Sequence, residues 1–127
     1  MAGNGLSGFQ RIWQATLYSV QGIKAAWGSE AAFRQEVLLC IVMVPGALWL
    51  GSTAVERALL IGVCLLVLAI ELINSAIEAA IDRFGEERNI LSGRAKDMGS
   101  AAVLVSLILV ALTWGLIGYE RIMANMN

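Results

Sequence analysis

The chain contains no histidine. That absence removes the commonest general base, histidine-ligated zinc and any histidine phosphorelay. Charge is scarce as well: Asp, Glu, Lys and Arg make up 15% of the residues, against about 25% in an ordinary globular chain. There is a single proline, and the two cysteines, Cys40 and Cys64, both sit inside apolar runs, so a disulfide-stapled scaffold is excluded. A net charge of −1 excludes a nucleic-acid binder held by bulk positive potential. What remains is apolar: 58% of the 127 residues are hydrophobic. A water-soluble chain of this length has too much surface for so few charges to cover. Residues 1–127 therefore read as one integral-membrane domain.

Three stretches are apolar enough to cross a bilayer. Val37 to Val55 is free of charge over 19 residues, and Met98 to Tyr119 over 22. Each covers the roughly 30 Å hydrocarbon core at 1.5 Å per residue. The middle stretch is different. Only 13 uncharged residues separate Arg57 from Glu71, about 20 Å of helix, so the span has to continue through Glu71, Asn74 and Glu78. Thr53 and Glu56 form a T-x-x-E capping box at its start. Gly85 and the run Glu86-Glu87-Arg88 close it, and Ser92-Gly93 are expected to break the chain before the third span. The spans are placed at about 33–52, 55–82 and 94–119, with a kink expected at Pro45.

Ahead of them, Phe9, Ile12, Trp13, Leu17, Val20, Ile23 and Trp27 recur at helical spacing and form one stripe. Residues 7–27 thus predict an amphipathic helix on the cytoplasmic membrane face, capped by Ser7 with Gln10 and ended by Gly28-Ser29. The polar stretch is too long for a signal peptide. Seven of the nine Lys and Arg fall on the N-terminal segment and the loop between spans two and three. Those segments are therefore read as cytoplasmic and the C-terminus as outside. Trp13, Trp27, Trp49 and Trp114 are read as interfacial anchors.

Two resemblances are rejected on context. Gly3-Asn4-Gly5-Leu6-Ser7-Gly8 matches G-x-G-x-x-G but follows no strand, and reads as an N-terminal tail. There is no G-x-x-x-x-G-K-[ST] and no H-R-D or D-F-G set, so any use of ATP proceeds without either common phosphate-binding loop.

The chemistry lies in the second span. Relative to Glu71, Asn74 falls at about −60°, Ser75 at about +40°, Glu78 at about −20° and Asp82 at about +20°, all on one face. An acidic residue at mid-bilayer depth costs at least about 2.5 kcal/mol on insertion scales. Headgroup pairing with Arg83 or Lys24 accounts for Asp82 and for Glu78. It does not account for Glu71, about 10 Å deeper than Glu78, which is read as functional. Glu30 and Arg34 lead into the first span, and Lys96, Asp97 and Ser100 into the third. Carboxylate oxygens suit Mg²⁺ together with substrate phosphates, and a lysine suits a polyphosphate. The residues by themselves specify a cytosol-facing acidic site at the lipid interface, able to hold a metal-bound phosphate ligand or a cation.

Three segments carry a family resemblance: ELINSAIEAAIDR at 71–83, SGRAKDMGSAAV at 92–103 and AAWGSEAAFRQE at 25–36. Together they strongly resemble the small bacterial membrane diacylglycerol kinases, over essentially the whole chain. The resemblance implies an all-α homotrimer in the bacterial inner membrane, with active sites shared between neighbouring subunits. It implies transfer of the ATP γ-phosphoryl group to the free hydroxyl of diacylglycerol with Mg²⁺, giving phosphatidic acid. Carried onto this sequence, Glu71 is the catalytic base, and Glu30 and Glu78 hold the metal and ATP with Asn74 beside them. Arg11, Tyr18, Glu87, Arg88, Asn89, Lys96 and Asp97 contact the nucleotide, and Ser100 with Glu71 meets the lipid. Members of the family can carry a lysine where this chain has Gln14 and a histidine where it has Asn89.

The nearest rival, undecaprenol kinase, shares an E-L-I-N-T-A-I-E stripe. Such relatives tend toward E-R-N-x-x-x-H before the first span and A-K-D-x-A-A-x-A-V in the third, where this chain has Glu30-Ala31-Ala32 and Met98-Gly99-Ser100. Both differences favour diacylglycerol. A small proton-coupled transporter would account for Glu71 but not for Glu30, Glu78, Lys96 and Asp97 gathering on one side.

Overall fold

The computed structural model describes Gly5 and residues 7–127. Gly3, Asn4 and Leu6 of the glycine motif lie outside the described residues. The described chain is four helices: α1 Gly8–Ser29, α2 Ala31–Leu50, α3 Ala54–Asp82 and α4 Ile90–Met126. The last three are long and apolar enough to cross a membrane, and the protein is a multi-pass membrane protein.

Local chemistry sets most of the helix ends. Ser7 and Gln10 form a reciprocal capping box at the start of α1, with the Ser7 N–H donating to Gln10 Oε1 at 2.9 Å. Thr53 and Glu56 do the same at the start of α3, where the Glu56 N–H donates to Thr53 Oγ1 at 3.2 Å. Each box satisfies backbone donors that the first helical turn leaves open. α3 ends where Gly85 takes a φ of +95°, a left-handed conformation that an L side chain resists. Between α1 and α2 one residue, Glu30, is extended. There the Arg34 guanidinium donates from Nη1 to the Trp27 carbonyl at 2.7 Å and to the Gly28 carbonyl at 3.4 Å, capping the end of α1 across the bend.

One expectation about the helix ends is corrected. Ser92 and Gly93 do not break the chain; both lie inside the first turn of α4. The reason is Asn89, whose Oδ1 accepts the Leu91 N–H at 2.8 Å and the Ser92 N–H at 3.2 Å and so starts the helix earlier. Trp114 also packs against α3: its indole Nε1 donates to the Leu60 carbonyl at 3.2 Å. α2 runs through Pro45 without interruption.

α3 is the middle helix, packed along α4 on one side and α2 on the other, while α1 leans on α2 and α3. Its buried face is one continuous stripe, apolar at Leu60, Cys64 and Val67 and polar at Glu71 and Asn74. Residues at these spacings lie on one side of a helix. The outward faces, such as Leu38, Leu39 and Val42 on α2 and Leu104, Val105 and Ile108 on α4, are exposed and apolar. In a bilayer such faces meet lipid or further helices.

The Trp114 bond ties α4 to the second turn of α3. Trp114→Phe is expected to lower unfolding stability in mixed micelles by about 1 kcal/mol, read from denaturing-detergent titrations.

Candidate functional site

At 29 residues, α3 is long enough to carry its polar stripe into the protein. Glu71 is 5% exposed and Asn74 8%, while Glu78, one turn beyond Asn74, is half-buried. The Asn74 amide Nδ2 donates to Glu78 Oε1 at 3.3 Å. Its Oδ1 is buried without a hydrogen-bond partner, and so is the Ser75 hydroxyl oxygen. Buried polar atoms are usually paired, and unpaired ones cluster where a ligand or another group completes the site.

Other helices bring carboxylates to the stripe. Glu30, half-buried at the α1–α2 bend, and Glu36 on α2 both act electrostatically on Glu71, as does Glu78. Glu36 was missed in the sequence: it lies one helical turn before Cys40 and past the charged cluster at Glu30 and Arg34, so it read as the edge of the first span. Its Oε2 is buried without a partner. Four carboxyl groups therefore line the polar part of the bundle, with Glu71 about 10 Å deeper than Glu78. Their oxygens are hard donors, although among the described residues no three or more acidic or thiol side chains are arranged to hold a metal ion by themselves.

Lys96 enters from α4. Its Nζ meets Asp82 Oδ1 at 2.6 Å and lies within the field of Glu78. Asp82 thus pairs across 14 residues of sequence with Lys96 instead of with Arg83 or Lys24, because the α3–α4 packing places the two helix ends side by side. Both side chains are well exposed, so the pair contributes little to stability and leaves Lys96 available.

Two cavities flank the stripe. An open one of about 1050 Å³ separates the end of α3 from the start of α4, lined by Asp82, Glu87, Arg88, Asn89 and Lys96 among others. A second, of about 470 Å³, lies between α1 and α3, lined by Ser19, Ala26, Glu30, Ser75 and Ala79 among others. Small side chains keep the second cavity open. The remaining candidate residues stay apart from the stripe within one chain. Arg11 and Tyr18 are exposed on α1, and Asp97 and Ser100 are exposed on α4. Gly99 is the α4 residue buried against Asn74. Asp97, at about 160° from it, points away from α3, and Ser100 lies about 100° round the helix.

The family model described as prokaryotic diacylglycerol kinase matches residues 17–118. The diacylglycerol kinase of Escherichia coli strain K12 is 52% identical over 111 residues, covering 87% of this chain and 91% of the relative. That of Pseudomonas aeruginosa is 54% identical over 113 residues, covering 89% and 92%. That of Helicobacter pylori strain 26695 is 46% identical over 108 residues, covering 85% and 84%.

Like charges gathered around a buried carboxylate oppose folding. Glu71→Gln keeps the shape and removes the repulsion from Glu30, Glu36 and Glu78. It is expected to raise unfolding stability in micelles by about 1 kcal/mol, whereas a purely structural Glu71 would give a loss.

Proposed function

We propose that this chain, which belongs to the prokaryotic diacylglycerol kinase family, transfers the γ-phosphoryl group of ATP to the free hydroxyl of diacylglycerol, giving phosphatidic acid and ADP. The observation that carries the reading is the burial of Glu71 on the same α3 stripe as Asn74 and Glu78, beside the carboxylate of Glu30. A lipid hydroxyl has a pKa far above 7, so its attack on phosphorus gains from a carboxylate within hydrogen-bond range. Glu71 takes that role. The hydroxyl oxygen bonds to the γ-phosphorus, the bond from that phosphorus to the β-bridging oxygen breaks, and the hydroxyl proton passes to the Glu71 carboxylate.

Glu30, and Glu78 held by Asn74, would supply carboxylate oxygens for Mg²⁺. When bound, Mg²⁺ neutralises phosphate charge. Lys96 adds a point charge at the phosphates, and Asp97 accompanies it. The cavity lined by Glu87, Arg88, Asn89 and Lys96 supports nucleotide binding at that end of the bundle, with Arg11 and Tyr18 contributing from α1. Asn89 serves there while also capping α4.

Arg11, Tyr18, Asp97 and Ser100 face outward in one chain. That arrangement supports sites completed by a neighbouring subunit, in the homotrimer that the family resemblance implies, each subunit presenting these side chains, Ser100 toward the lipid, to its neighbour's Glu71. The seven-to-two division of Lys and Arg supports an N-terminus and α3–α4 loop in the cytoplasm, and the family relationship supports the bacterial inner membrane.

Labelled ATP with Mg²⁺ in mixed micelles tests the chemistry, with diacylglycerol and undecaprenol offered separately. Wild type is expected to label phosphatidic acid, and Glu71→Gln to do so about 10²–10⁴-fold more slowly. Labelled undecaprenyl phosphate instead would change the substrate, and no labelled lipid from an intact oligomer would sink the kinase reading. For orientation, a thiol placed by Asn125→Cys is expected to react with an impermeant reagent in intact spheroplasts. One placed by Glu87→Cys is expected to react only after lysis.

A further inference from the structure

The contact between α4 and the polar stripe passes through a residue with no side chain. A Cβ added at Gly99 would fall on Asn74 Oδ1, and would lie 3.3 Å from Asn74 Cγ. Gly99 is buried, and Asn74, itself buried, cannot swing into open water. Both line an apolar groove between α3 and α4, together with Ile73, Ile77 and Met98. Asn74 Oδ1 finds no hydrogen-bond partner there, while Nδ2 is spent on Glu78. The amide is thus held by shape on its oxygen side and by a hydrogen bond on its nitrogen side.

We propose that Gly99 is a positioning residue for the reaction: by leaving room for Asn74 Oδ1, it aims Nδ2 at Glu78 and holds that carboxylate ready for the metal-bound nucleotide. This inference rests on the role given above to Glu78. Three responses are open to Asn74 when a methyl group occupies position 99. Rotation about its side-chain bonds breaks the bond to Glu78. A half-turn of the amide places its oxygen against the Glu78 carboxylate, where two acceptors repel. Separation of α3 from α4 opens the buried seam at its polar end, and packed interiors resist such adjustments. Each response degrades Glu78, and the two that move only the amide leave Glu71, one turn to its other side, in place.

The effect therefore falls on nucleotide and metal, not on the lipid alcohol. Gly99→Ala, Asn74→Ala and the pair Asn74→Ala with Gly99→Ala are compared with wild type in mixed micelles. The measurements are KM for Mg²⁺-ATP, KM for diacylglycerol, and electron paramagnetic resonance of Mn²⁺ bound with a non-hydrolysable ATP analogue. Gly99→Ala is expected to weaken Mn²⁺-nucleotide binding and raise KM for Mg²⁺-ATP by about tenfold, the loss typical of one hydrogen bond to a charged group, with KM for diacylglycerol unchanged. In the Asn74→Ala background the same change is expected to add less than about twofold. Should Gly99→Ala alone not fold, the pair, which removes the collision, is expected to fold.

Wild-type behaviour of Gly99→Ala would overturn the proposal. An equal loss in both backgrounds, a rise confined to the KM for diacylglycerol, or a pair that does not fold would overturn it too. A wild type that phosphorylates no lipid but binds Mn²⁺-nucleotide in a Gly99-dependent way would sink the kinase reading and retain the positioning role. A wild type binding no Mn²⁺-nucleotide overturns both.

Discussion

A carboxylate at the depth of Glu71 has to be enclosed, and the rest of the bundle answers to that requirement. Lipid offers it no hydrogen bond and no counter-charge. The stripe that packs α3 between α2 and α4 therefore carries apolar side chains at Leu60, Cys64 and Val67 and polar ones at Glu71 and Asn74. One helix face does two tasks: its apolar part supplies the seam, and its polar part is kept from lipid by the same seam. The cost appears in the unpaired buried oxygens of Glu36, Asn74 and Ser75. Such groups are expensive in a finished core and useful where substrate is to arrive.

The bends place the site's edges. Glu30 occurs at the single extended residue between α1 and α2, so its backbone joins the two helices while its side chain faces the stripe. Arg34 holds that bend through the last carbonyls of α1, where a cation also complements the helix dipole. At the other end Asn89 starts α4 immediately after the loop and thereby brings Lys96 alongside Asp82. Charges that read in isolation as ordinary headgroup residues are given their positions by these helix ends.

Electrostatically the site carries carboxylates from α2, α3 and the α1–α2 bend, and Lys96 where α4 begins. Such a distribution is unfavourable by itself and becomes favourable with a cation and a polyphosphate between the two halves. The kinase family matched over residues 17–118 is consistent with a nucleotide-dependent reaction. The outer faces of α2 and α4 are apolar, and Asp97 and Ser100 lie exposed on α4 away from the stripe.

The features that depend on neighbours in sequence were legible without coordinates. Capping boxes act across three residues, so Ser7 with Gln10 and Thr53 with Glu56 could be read directly. Helical periodicity put Glu71, Asn74 and Glu78 on one face, and the short uncharged stretch after Arg57 showed that the face had to enter the membrane. Ser92-Gly93 misled because glycine costs a helix only about 1 kcal/mol, and the Asn89 cap three residues before Ser92 starts the helix ahead of it. Contacts between helices depend on crossing angle and rotation, which no local pattern encodes. The Lys96–Asp82 pair, the Trp114 bond to Leu60, the arrival of Glu36 beside Glu71 and the seating of Asn74 on Gly99 were decided only when α2 and α4 closed on α3.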